Sequence, residues 1–118
     1  MPKYLAASDI IVLPQRRTLF AEAQVPAKVF EAMAMGKPII STNISDMKEI
    51  LEGCGIIISP VQSVNDVAEL SGKIKMLVDD SHLSAKCGAL AREKCVEQYS
   101  WSLMENKLFP IFERYLNV

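Results

Sequence analysis

The chain has 118 residues, half of them hydrophobic and 23% charged, with a formal net charge of -1. That leaves room for one domain with a modest core and not for two lobes. The balanced charge excludes the electrostatic footprint of a nucleic-acid binder, and no apolar run approaches the ~20 residues needed to span a bilayer.

Residues 2–7 have the pattern of the tail of a helix, which Ser8 and Asp9 interrupt. Ile10 to Leu13 is a continuous apolar run suited to a buried parallel strand, closed by Pro14. A polar loop is expected over 15–25, carrying Arg16, Arg17, Glu22 and Gln24. Residues 26–38 then read as a short helix with a marked start and stop. Pro26 suits the first turn, where its missing N–H costs nothing. Gly36 suits the left-handed position after the last turn, and Pro38 forbids continuation. Val29, Phe30 and Met33 make an apolar stripe, while Lys28 and Glu31 share another face at i,i+3 spacing.

A second strand is expected at Ile39–Ser41, a turn at 43–45, and a short helix capped by Asp46 and running to Leu51. Gly53-Cys54-Gly55 leads into a third strand, Ile56–Ile58. Beyond Pro60 the pattern is helical. Ser63 is the expected cap of a helix over 64–78 with Val67, Leu70, Ile74 and Leu77 on its inner side. Ser81 is expected to cap the next helix, to about Gln98. Ser100 caps the last, whose Leu103, Leu108, Ile111, Phe112 and Leu116 form an apolar face kinked at Pro110. Trp101 is expected to anchor that helix by burial, and Met33 and Met35 to fill core.

Wholly apolar strands alternating with helices indicate an α/β fold, a Rossmann-like parallel sheet of about three strands covered on both faces. Ligands of such sheets sit at the carboxyl ends of the strands, where the 15–25 loop and the start of the 26–38 helix both lie. Backbone N–H groups at that helix start suit an anion, and the Glu31 carboxylate can accept two hydrogen bonds from a vicinal diol. The plainer alternative is a buried helix whose Lys28 and Glu31 are merely solvated. Cys87 and Cys95 are eight residues apart (95 − 87) on one expected helix, roughly 12 Å at 1.5 Å per residue, too far to bridge. No Cys/His spacing suggests zinc, and His82 reads as a surface histidine. Met1-Pro2-Lys3-Tyr4 lacks the apolar core of a signal peptide. The expected setting is cytoplasmic, at most peripheral to the inner face of a membrane.

The run Pro26–Pro38 with Ile39-Ile40-Ser41-Thr42 resembles the donor-binding segment of retaining glycosyltransferases of the two-domain GT-B fold, closest to the "group 1" (family 4) set. Tyr4 to Pro14, Glu49-Ile50, Gly55 to Pro60, and Tyr99-Ser100-Trp101 resemble further segments of that family in the same order. The resemblance implies a donor site for a nucleotide-diphosphate sugar, with no cofactor or metal. Glu31 would bind the ribose hydroxyls. Pro26, Ala27, Lys28 and Val29 would face the diphosphate, with Gln24 nearby; Arg16 and Arg17, by their place just past the first strand's carboxyl end, are candidates to meet phosphate or an anionic acceptor, the plainer alternative being a solvated pair.

The family's second glutamate, eight positions before the first, corresponds to Ala23 here (31 − 8). Glu22, one residue earlier, becomes the candidate catalytic carboxylate. By this resemblance residues 1–118 are the later portion of a donor-binding domain, without the family's upstream Arg and Lys and without its N-terminal acceptor domain. Such a piece is expected to be inactive alone, and to bury its first strand's free edge in a homodimer. The competing expectation is a non-catalytic nucleotide-binding or protein-interaction module of the same fold. A response-regulator-like domain would need an early acidic cluster that is missing.

Overall fold

β1 (Ile11–Leu13), β2 (Ile39–Thr42) and β3 (Ile56–Ile58) form a parallel sheet in the order β1-β2-β3. The computed structural model describes residues 2–60 and 64–116. Register is set by Ile11 opposite Ile39 and by Ile40 opposite Ile56. Because side chains alternate across a strand, Ile39 faces one core and Ile40 the other. On one side Ile11, Ile39 and Ile57 pack with Val29, Met33, Met47, Leu51 and Ala91; on the other, Ile40 and Ile58 pack with Leu70, Ile74 and Leu77. β2 is buried along its whole length, which explains its uninterrupted Ile-Ile-Ser-Thr sequence.

The first face is covered by α1 (Pro2–Ala7), α3 (Lys28–Ala34), α4 (Met47–Ile50) and α6 (Ser81–Gln98), and the second by α5 (Val64–Asp79). α3 and α6 are the most closely associated helices. A Cβ on Gly88 of α6 would lie 2.0 Å from the Gly36 carbonyl oxygen, so only glycine permits this approach. Cations on neighbouring elements close the helix C-termini. Lys37 donates to the Ala6 carbonyl at 3.0 Å and Arg92 to that of Ala34. Lys94 donates to those of Glu49 and Glu52 at 2.8 and 3.2 Å.

Several expectations are corrected. The 15–25 segment is not all loop: Leu19–Glu22 form the short helix α2, capped by the Thr18 hydroxyl, which accepts from the Ala21 N–H at 3.0 Å. The first strand begins at Ile11 rather than Ile10, and the second runs on to Thr42. Asp46 stands at the start of α4 but its side chain caps nothing. Asp80, not Ser81, caps α6 by accepting from the Leu83 N–H at 3.0 Å. Val67 and Met35 are exposed, whereas Leu70, Ile74 and Leu77 face inward as expected. The Ser63 cap lies outside the described residues.

The largest departure is α7 (Trp101–Leu116). Ser100 caps it through a 3.3 Å bond from the Leu103 N–H, and it continues through Pro110, yet none of its residues is buried. Trp101 is 90% exposed, so it anchors nothing within the described chain. Tyr99, just before it, does pack: its ring lies 5.1 Å from that of Phe30 at 58°.

Candidate functional site

α3 runs back toward the start of β2, so its N-terminus lies at the carboxyl end of the sheet. Its C-terminus carries a complete left-handed cap. Gly36 has φ 69°, its N–H donates to the Met33 carbonyl at 3.0 Å, and the Lys37 N–H to that of Ala32 at 3.2 Å. This closure, with Val29, Ala32 and Met33 fully buried, holds the helix axis and thereby the position of its exposed face.

The helix begins at Lys28, so Pro26 precedes the first turn rather than opening it. The Pro26 carbonyl accepts from the Val29 N–H at 3.1 Å, and that of Ala27 accepts from the Phe30 N–H at 3.2 Å. Val29 therefore has its N–H engaged and its side chain in the core. The N–H groups of Ala27 and Lys28 have no acceptor among the described residues. The side chains of Lys28 and Glu31 are exposed, with no hydrogen bond or ion pair among the described residues. An unpartnered cation in a helix's first turn opposes the macrodipole, and an anion held there would reverse that sign. Gln24 is exposed just before this helix.

Glu22 is committed elsewhere. One carboxylate oxygen accepts from Arg17 at 2.9 Å, and the other accepts from the Ser45 N–H at 3.2 Å. Arg17 also donates to the Asn43 carbonyl at 3.4 Å. Ser45 has φ 54°, a left-handed conformation that these contacts help to hold. Together they tie α2 to the turn after β2. Arg16 is exposed beside this tie.

Beyond it, the carboxyl ends of β2 and β3 open into a cavity of about 440 Å³ lined by Arg17, Asn43, Lys48, Ser59 and Glu69 among others. Of the residues expected at the site only Arg17 borders it. Asn43 and Ser59 each directly follow a strand, a position that could have been flagged from sequence; Lys48 and Glu69 carry no such signal. Among the described residues no three His, Cys, Asp or Glu side chains gather where they could hold a metal ion, and no helix is long and apolar enough to cross a membrane. The thiols of Cys54 and Cys95 are pushed up in pKa by burial and belong to the core beneath α3.

Residues 1–80 match the family described as glycosyl transferases group 1. The MMP alpha-(1->4)-mannosyltransferase of Mycolicibacterium hassiacum is 26% identical over 113 residues, covering 93% of this chain and 25% of that protein. Among solved structures, Anabaena HepE in complex with UDP superposes with a TM-score of 0.83 at 18% identity, over 97% of this chain and 30% of its own. Sucrose-phosphate synthase from Thermosynechococcus elongatus gives 0.80 at 20% identity, over 97% and 27%. The chain thus spans about a quarter to a third of the length of these relatives, and over that span it shares the fold of GT-B glycosyltransferases.

Proposed function

Because the chain belongs to the glycosyl transferases of group 1, we propose that it binds the nucleoside-diphosphate part of a sugar donor along the exposed start of α3. In this reading Glu31 accepts hydrogen bonds from the ribose hydroxyls. The free N–H groups of Ala27 and Lys28 and the Lys28 ammonium meet the diphosphate, with Pro26 and Gln24 beside it. The carrying observation is that the family's best-marked segment lies at the carboxyl end of the sheet with these groups unpartnered while the rest of the helix is locked. Val29 contributes by burial, holding the helix in place.

The complete reaction is retaining transfer of a hexose to a glycan or glycolipid, in a cleft to which a second, acceptor-binding domain contributes. On this reading the 118 residues bind donor without turning it over, and self-association would cover the free edge of β1. The bound UDP of HepE supports a nucleoside diphosphate as first probe.

The test is a thermal-shift panel of UDP, GDP, ADP and their sugars. One nucleotide should raise Tm progressively with concentration, since it binds the native and not the unfolded chain. Glu31→Ala should abolish that rise at equal ligand without lowering the unliganded Tm. Absence of any shift at millimolar ligand overturns the reading. A second reading, a non-catalytic module of the same fold, is favoured by Ala23 in the place of a carboxylate and by Glu22 being held by Arg17 and Ser45. In the intact enzyme, Glu22→Ala with unchanged turnover would remove Glu22 from contact with the reacting sugar.

A further inference from the structure

The cavity at the ends of β2 and β3 is separate from the exposed face of α3: neither Lys28 nor Glu31 borders it. Its volume of about 440 Å³ lies within the range of small-molecule sites, roughly 300–1,000 Å³. Its wall is chemically divided. Arg17 and Lys48 supply two cations, Glu69 one carboxylate, and Asn43 and Ser59 neutral polar groups, beside an apolar strip that includes Ile57. Arg17 is held in advance. Its guanidinium donates to Glu22 and to the Asn43 carbonyl, which uses two of its five N–H donors and leaves three for a ligand. Lys48 has no hydrogen bond or ion pair among the described residues, so its ammonium is free.

The geometry points to this cavity as a second binding site, for a sugar phosphate: the phosphate between Arg17 and Lys48, and ring hydroxyls toward Glu69. A phosphate dianion suits a cavity bordered by two cations, and Arg provides the forked geometry that phosphate oxygens accept. The Glu69 carboxylate on the same lining disfavours a ligand that is anionic throughout and suits hydroxyl donors. The apolar strip accommodates the C–H face of a pyranose. Glu22 acts here as a positioning residue, fixing Arg17 and, through the Ser45 N–H, the turn that carries Asn43. The inference goes beyond the donor reading: it adds to this domain a separate site for a phosphorylated sugar.

The test is a set of NMR titrations of the amide-labelled full chain with glucose 6-phosphate, glucose and inorganic phosphate, and separately with UDP. Glucose 6-phosphate should give saturable shifts at the Asn43, Lys48 and Ser59 amides and bind more tightly than glucose or phosphate alone. Lys48→Ala, which lies outside the Arg17–Glu22 tie, should weaken it about tenfold, the loss expected for one charge-assisted hydrogen bond. Equal binding of inorganic phosphate, or glucose 6-phosphate shifts insensitive to Lys48→Ala, overturns the assignment. UDP reports on the other site: shifts at Ala27 and Lys28 with none at the cavity under glucose 6-phosphate leave the donor reading standing and remove this one. The reverse pattern removes the donor reading alone.

Discussion

α3 and α7 are both capped, amphipathic and apolar on one side, yet they end in opposite circumstances. The shorter helix has three fully buried residues, a glycine-closed C-terminus and a neighbouring arginine on its last carbonyls. The longer one carries Trp101, Met104, Leu108, Phe109, Ile111, Phe112, Tyr115 and Leu116, and buries none of them. Apolar periodicity states that a helix has a face to cover; it does not state what covers it. α3 is covered because it crosses between two paired strands and must lie on the sheet. α7 joins no two strands among the described residues, so no crossover fixes what it lies on.

The sharpest way to break this contrast is in the α3 core. Met33→Ala removes a fully buried side chain from the packing against β2 and should cost about 2–5 kcal/mol, read as a lower denaturant midpoint at unchanged slope. A loss as small as that of a surface change would show that α3 is no better held than α7. Next in size is Gly88→Ala. Its Cβ meets the Gly36 carbonyl at 2.0 Å, so the two helices must separate, for a loss of about 2–3 kcal/mol by thermal melt. An unchanged Tm would mean that the α3–α6 approach is adjustable.

A smaller effect comes from pH. Burial raises the pKa of the Cys54 and Cys95 thiols above their usual 9.0, and burial likewise raises that of Tyr99. Above pH 9 the unfolded chain releases these protons before the folded one does, so the unfolded state binds fewer and stability falls as pH rises. Below pH 9 the contribution of these thiols is flat. Urea midpoints across that range check the sign; a midpoint that rises with alkalinity contradicts it. The smallest effect belongs to α7. Leu108→Ala should stay within about 0.5 kcal/mol, because the side chain, like the rest of α7, is not buried. A loss comparable to that of Met33→Ala would mean that α7 is covered in solution, for instance by a second copy.

Much of this was legible in the sequence for local reasons. Uninterrupted apolar runs marked three parallel strands, and the Gly36-Lys37-Pro38 punctuation marked the end of α3 almost to the residue. Where local chemistry allowed two solutions, sequence reading chose wrongly. Asp80 and Ser81 are both able N-caps, and the backbone geometry of the α5–α6 turn selects Asp80. The large apolar Leu19 and Phe20 of α2 are exposed and only the small Ala21 is buried, so periodicity had little to display there.

The class of fold, the order of its elements and the helix that carries Lys28 and Glu31 could be read from the chain, because they follow from backbone propensities and alternation within a few residues. Three outcomes emerge only in the folded chain: Glu22 is bound to Arg17 and Ser45, Arg17 joins Lys48 and Glu69 around one cavity, and α7 stands uncovered. Those outcomes depend on contacts between segments far apart in the chain, and no local pattern encodes which distant surface an exposed charge or an apolar face will meet.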